Sequence, residues 1–229
     1  MARRSYRQFC GLAKALDIVG ERWTLLIVRN LLLGPRRYSD LLDELPGVTT
    51  NLLAKRLQEL EAAGLVEKER LPPPVPAVLY RLTADGAALE PAIMELARWG
   101  GRYLDRPRAG DTVNVGWGLL SMKRRYRGGR TLTVGIEVDD GRAGRRFELR
   151  LSPRRLDVAE RTPARPQLTI RGKLPALREL LFTDGSDPAR LVRSGAITVT
   201  GDGCRLDDLL DAFLPPGHAH LPPPDGNAV

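Results

Sequence analysis

The stretch from Gly47 to Thr83 reads GVTTNLLAKRLQELEAAGLVEKER, then LPPPVPAVLYRLT, and it leaves little freedom in how the first half of the chain folds. Leu53, Leu57 and Leu60 recur at the spacing of one helix face, with Leu52 beside them. Thr49 stands where a hydroxyl can accept a free N–H of the first turn. Gly64 stands where a left-handed residue ends a helix. A helix is therefore expected over Thr49 to Ala63, with Thr50, Asn51, Ala54, Lys55 and Gln58 on the side away from the leucines. Two short extended runs follow, on either side of a proline-rich loop, Pro72 to Ala77.

Three more helical patterns precede this one. Leu12, Leu16 and Val19 mark the first, Trp23 to Leu33 the second and Tyr38 to Leu45 the third. Gly34-Pro35 and Pro46-Gly47 supply the stops between them. The order helix, helix, helix, turn, helix, strand, loop, strand is that of a winged helix-turn-helix, which presents one helix face and one loop to the grooves of DNA. Asn and Lys suit adenine and guanine edges in a major groove, although a polar helix face also fits plain solvation. Arg36, Arg37 and Ser39, at the start of the short helix, form a candidate phosphate contact. After Thr83 a helix is expected from about Ala87 to Leu104. Leu89, Ile93, Leu96, Trp99 and Tyr103 give it an apolar face, and Pro91 predicts a kink or a late start. That face suits a second copy of the chain or the chain's own C-terminal half.

The segments FCGLAKALDIVGERWTLLIVRNLLLGPRRYSDL, GVTTNLLAKRLQELEAAGLV and VPAVLYRLTADGAALEPAIMELARWG resemble the HxlR-type winged-helix transcriptional regulators of bacteria, over about Cys10 to Leu104. The resemblance implies a homodimer on double-stranded DNA, with Thr49 to Ala63 as recognition helix and Pro72 to Ala77 as wing tip. The candidate DNA-binding residues are then Arg36, Arg37, Ser39, Thr49, Thr50, Asn51, Lys55, Arg56, Gln58 and Arg70. This chain has Cys10-Gly11 where the family often has Cys-Pro. Several relatives sense oxidants or electrophiles through a cysteine at that place, which makes Cys10 a redox candidate. Arg7 and the onset of a helix would favour its thiolate, whereas a small apolar role beside Phe9 is the plainer alternative.

Beyond a polar linker, residues 105–112, the pattern turns strand-like. Leu132 to Val138 and Phe147 to Leu151 alternate around the turn DDGRAG. Strands follow at Leu156 to Ala159, Gln167 to Arg171 and Ala196 to Thr200, and helices at Pro175 to Phe182, Asp187 to Arg193 and Arg205 to Leu214. Asn114 to Arg125 fits an opening helix. The whole is expected to be α+β: a winged helix-turn-helix over 1–104, an α+β domain over 113–214 with a mostly antiparallel sheet and covering helices, and a disordered proline-rich tail over 215–229.

The second half is similar to sterol-carrier-protein-type domains in TLTVGIEV with RRFELRLSP, in PQLTIRGKLPALRELLF and in SGAITVTGDGCRLDDLLDAF. That resemblance implies an apolar cavity for a hydrophobic small-molecule effector. Its candidate lining is Trp117, Leu120, Phe147, Leu177, Leu181, Phe182, Leu191, Leu209 and Phe213, each of which also fits an ordinary core.

The chain has 229 residues and a formal charge of +8. Its arginines number 31 against 5 lysines. Lys123 to Arg155 carries 11 basic and 4 acidic residues, denser than the winged helix itself; a nucleic-acid patch and a solvated strand face both fit. No apolar run spans a bilayer and no signal-peptide core opens the chain, so a cytoplasmic protein with no membrane partner is expected. Cys10 and Cys204 form no CxxC, and His218 and His220 fall in the tail, so no metal, cofactor or catalytic residue is expected. Two other functions stay open beside an effector-modulated regulator. One is a redox-sensing regulator whose second domain is structural; the other is a lipid-binding or small-molecule-binding protein that does not bind DNA.

Overall fold

The computed structural model describes residues 5–73, 76–104, 107–139, 144–183, 185–201 and 205–213. The chain forms two compact units, Met1–Ile93 and Met94–Val229. The expected wing tip is described except for Pro74 and Val75. Parts of the linker (105 and 106) and of the DDGRAG turn (140–143), together with Cys204 and the tail bearing His218 and His220, lie outside the described residues.

The first unit runs α1 (Gly11–Val19), α2 (Thr24–Leu31), β1 (Arg36–Arg37), α3 (Tyr38–Glu44), α4 (Thr50–Ala62), β2 (Val66–Leu71), β3 (Ala77–Leu82) and α5 (Ala84–Ala87), then the start of α6 (Glu90–Gly100). Its core is Ile27, Val28, Leu31 and Leu33 against Leu41, Leu45, Leu53, Leu57, Leu60 and Val66, all buried. Thr49 caps α4: its hydroxyl accepts from the Leu52 N–H at 3.3 Å. Gly64 ends α4 at φ +72°, with Leu65 N–H returning to the Leu60 carbonyl and Gly64 N–H to that of Glu61. Thr83 then ties the end of the hairpin to the end of α4. Its hydroxyl donates to the Gly64 carbonyl at 2.6 Å, and its N–H donates to the Leu65 carbonyl at 3.0 Å. The close approach needs Gly86, where a Cβ would fall 2.0 Å from the Leu65 oxygen.

Arg36 and Arg37, just before α3, form a third strand, in the order β1-β3-β2. The long helix after Thr83 starts late, as Pro91 predicts: the short α5 comes first, and Pro91 takes the second position of α6, where its missing N–H breaks no helical bond. Trp23, just before α2, has φ 80°, a left-handed conformation that costs a bulky residue about 1–2 kcal/mol.

The second unit contains α7 (Val115–Met122), β4 (Leu132–Val138), β5 (Arg145–Leu151), β6 (Leu156–Glu160), β7 (Leu168–Gly172), α8 (Leu174–Phe182), α9 (Pro188–Arg193), β8 (Ile197–Gly201) and α10 (Arg205–Asp211). The sheet order is β6-β5-β4-β7-β8; the β4–β7 pair is parallel and the other three are antiparallel. Alternation puts Val134, Ile136, Phe147, Leu149, Val158, Leu168 and Ile170 on one buried face, which packs under α7 and α8. The opposite face carries Glu137, Arg146, Glu148, Arg150 and Arg171.

Candidate DNA-binding surface

Pro46-Gly47 turns α3 into α4, with Gly47 at φ +89°. The Tyr38 hydroxyl donates to the Thr50 carbonyl at 2.5 Å, so the entrance of α4 is held by α3 as well as by its own cap. The leucine stripe faces the core, which leaves Thr50, Asn51, Lys55 and Gln58 exposed on the other side and Ala54 half-buried. Lys55 Nζ lies 4.0 Å from Glu59 Oε1, a loose surface pair that leaves the ammonium available. Thr49 is exposed, and its hydroxyl is engaged as the cap.

Two of the ten expected DNA-binding residues turn inward. Arg36 is 6% exposed, with Nε 3.6 Å from Glu44 Oε2. The cause is strand alternation: in β1 one arginine of the pair faces in and the other out. Arg56 is also 6% exposed. It falls three residues after Leu53 and four before Leu60, so it lies on the buried stripe. There its guanidinium donates to the Arg22 carbonyl at 3.1 Å, to Glu59 Oε2 at 2.6 Å and to Glu21 Oε2 at 2.6 Å. The spacing from Leu53 was the sequence signal for this burial. Neither side chain is available to a phosphate.

Arg37 and Ser39 remain exposed at the start of α3. Asp40 already occupies that helix end by accepting the Arg37 N–H at 2.9 Å. On β2, Lys68 pairs with Glu61 at 2.7 Å, and on β3 Arg81 pairs with Glu67 at 2.8 Å. Arg70 is exposed next to the wing tip and has no carboxylate partner among the described residues. The inner cluster below α3 is polar too: burial pushes Arg29 down to about 10, and nearby Glu44 opposes that shift.

Cys10 is exposed at the N-cap of α1. The free N–H groups of Ala13, and after it Leu12, hold its thiol below the ordinary range without closing a capping hydrogen bond. Arg7 takes no part in this. Leu12 and Leu16 on α1, and Leu96, Trp99 and Tyr103 on or just after α6, are exposed. The Trp99 and Tyr103 rings meet at a tilt, with centroids 5.1 Å apart.

In the second unit Leu120, Phe147, Leu177, Leu181, Leu191, Leu209 and Phe213 are buried, whereas Trp117 and Phe182 are only half-buried. The Phe182 ring closes on α7 at Gly118, where a Cβ would lie 2.9 Å from it. The basic stretch is largely engaged in local contacts. Arg145 pairs with Glu160, Arg146 with Glu137, Arg150 with Glu148 and Arg155 with Asp157. Arg125 donates to the Leu181 carbonyl and Arg127 to that of Asp211. Among the described residues no cluster of His, Cys, Asp or Glu is gathered as a metal site, and no helix is long and apolar enough to cross a membrane.

A helix-turn-helix with an exposed polar second helix and a two-stranded wing is the frame of a DNA-binding transcriptional regulator. The chain belongs to the HxlR-like helix-turn-helix family, whose model matches residues 18–108. It is 38% identical over 92 residues to the uncharacterised HTH-type transcriptional regulator YvaP of Bacillus subtilis (strain 168), covering 40% of this chain and 85% of YvaP. It is 35% identical over 99 residues to the HTH-type transcriptional regulator YodB of the same organism, covering 43% of this chain and 86% of YodB. Among solved structures, the redox regulator HypR in its oxidized form aligns with a TM-score of 0.40 and 31% identity, over 42% of this chain and 100% of HypR. The family match stops at residue 108, so most of the second unit lies outside it.

Proposed function

We propose that the chain is a dimeric transcriptional regulator that reads an inverted-repeat operator with α4. Thr50, Asn51, Lys55 and Gln58 contact base edges in the major groove, with Arg37, Ser39 and Arg70 on the phosphates. The observation that carries this is the outer face of α4: four exposed polar side chains with no part in the core, beside a wing whose exposed Arg70 has no carboxylate partner among the described residues. The exposed apolar side chains of α1 and α6 support a second copy as partner. Fluorescence anisotropy on double-stranded DNA tests the reading. The logarithm of the affinity should fall linearly with that of the salt concentration; no binding, or binding indifferent to salt, would sink it.

The second domain is proposed to be of sterol-carrier type and to take a hydrophobic effector between its sheet and α7, α8 and α10. The continuous apolar inner face of the sheet supports this. An effector shifts operator affinity only as far as it binds the two DNA-binding states differently. An environment-sensitive fluorescent fatty acid is the probe: saturable binding to the full chain is expected, weakened by Leu177→Lys. Absence of saturation, or no effect of the substitution, would count against it.

Cys10 supports a second mode of regulation. Its exposed, acidified thiol should be alkylated by iodoacetamide at neutral pH faster than a free cysteine, with a rate midpoint below the ordinary thiol range. A diamide-induced loss of DNA binding that Cys10→Ser abolishes is the expected result. Equal loss in both proteins would remove Cys10 as the switch.

A further inference from the structure

We infer that Arg56 and Glu21 are positioning residues for DNA reading: they fix the pose of α4 against the corner between α1 and α2. The inference rests on α4 being the reading helix. Arg56 is the buried centre of a three-way contact. Its Nε reaches the Arg22 carbonyl, its Nη2 reaches Glu21, and its Nη1 reaches Glu59 on its own helix. The guanidinium is a planar fork, so donors spent in three directions fix its rotation as well as its place. A phosphate-binding role is disfavoured, because the side chain is 7% exposed and its partners are already in hand.

The same corner touches α4 a second time. Trp23 holds a left-handed backbone, and its ring lies over Gly47, 3.8 Å from where a Cβ would stand. Arg22, whose carbonyl receives Arg56, lays its own guanidinium over that ring at 5.3 Å. The corner therefore meets α4 at its middle, through Arg56, and just before its entrance, through Gly47. Lys55 and Gln58, which face outward, flank Arg56 in sequence. Rotation of α4 about its axis would move them along the groove, and the Arg56 contacts are what oppose it. Glu21 begins two residues after α1 ends at Val19, so a displacement of α1 reaches α4 through this corner.

The test compares affinity for a site that the full chain selects from random-sequence DNA with affinity for a scrambled duplex. Glu21→Gln removes an exposed partner and Arg56→Lys keeps the charge but loses the fork. Each should cut the ratio of selected-site to scrambled-site affinity by about fivefold to tenfold, the scale of one misplaced base contact. Affinity for the scrambled duplex and its salt slope should stay as in the wild type, since phosphate contacts are untouched. Val28→Ala, a core change away from this corner, is the control for plain destabilisation and should keep the ratio. An unchanged ratio in Glu21→Gln and Arg56→Lys, or an equal loss in Val28→Ala, overturns the inference. The double variant Asn51→Ala, Lys55→Ala run alongside separates the two levels. If it leaves the ratio intact, the reading of α4 fails and this inference falls with it. If it lowers the ratio while Glu21→Gln and Arg56→Lys do not, only the positioning role fails.

Discussion

Replacing Asn51 and Lys55 together by alanine should weaken binding to the selected operator on the order of a hundredfold to a thousandfold. A good bidentate contact to a base edge discriminates by roughly 1–3 kcal/mol, and about 1.4 kcal/mol is a factor of ten in affinity. Both residues stand on the exposed face of α4, away from Leu53, Leu57 and Leu60. Alanine is the best helix former. The one ion pair lost, Lys55 with Glu59 at 4.0 Å, is loose and exposed. The fold should therefore be unaffected, and circular dichroism with a thermal melt checks this. Lys55→Ala alone tells base from phosphate. A lost phosphate contact lowers the salt slope by about one and weakens all sequences alike, whereas a lost base contact relaxes specificity at one position. Unchanged affinity in the double variant would remove α4 as the reading helix.

Glu148→Ala should destabilise the second domain by about 3 kcal/mol, within the range for removing one member of a buried, hydrogen-bonded ion pair. Glu148 is 1% exposed although it stands on the outer face of the sheet, because the link from β6 to β7 lies over it. β6 and β7 run parallel on either side of β5 and β4, a crossover that usually takes about a dozen residues or more. Residues 161–167 make it here as a bare loop. Glu148 accepts the Ala164 N–H at 2.8 Å and Arg161 Nε at 2.9 Å, and it forms an ion pair with Arg150 Nε at 2.7 Å. Pro163 sits over Gly135, where a Cβ would be 3.0 Å from its ring, and Gln167 exchanges bonds with the Thr133 backbone. Glu148 thus anchors the middle of the loop.

Burial raises the Glu148 carboxyl, but the Ala164 N–H and the charges of Arg161 and Arg150 outweigh it and hold the group below its ordinary value of 4.5. A pKa lower in the folded than in the unfolded state means that the stabilisation is fully present above the ordinary value. It is lost as pH falls through the lowered one. The wild type should therefore lose stability through this group only in acid, and Glu148→Gln should lack that component. Denaturant melts at pH 7 and at pH 3 measure both. Equal stability of Glu148→Ala and wild type at pH 7 would contradict the anchoring role.

The elements of both halves were legible because periodicity, caps and breakers agreed. Thr49 and Gly64 bound α4 as their chemistry requires, and the alternation in β4 and β5 set which face is buried. What stayed hidden depends on partners distant in sequence. Arg36 reads as one of two equal basic residues until β1 pairs with β3 and alternation turns it inward. Arg56 lies on the leucine stripe, and two of the three partners of its buried guanidinium, Glu21 and the Arg22 carbonyl, lie more than thirty positions upstream. The density of arginines from Lys123 to Arg155 fitted a nucleic-acid patch and a solvated strand face alike, and the side chains and carbonyls they meet were not legible. Partners such as Glu160 and Asp157, and the Leu181 carbonyl, lie outside that run. Glu148 gave no signal at all, since a glutamate on the outer face of a strand is ordinarily solvated.

Selection of bound sites from a random-sequence DNA library by the full-length chain, followed by footprinting, tests the central claim most directly. A two-fold dimer with one α4 per half-site requires an inverted repeat, with protected half-sites centred roughly 34–36 Å apart along one face of the duplex. A single unrepeated half-site, protection confined to the minor groove, or no enriched sequence would contradict it.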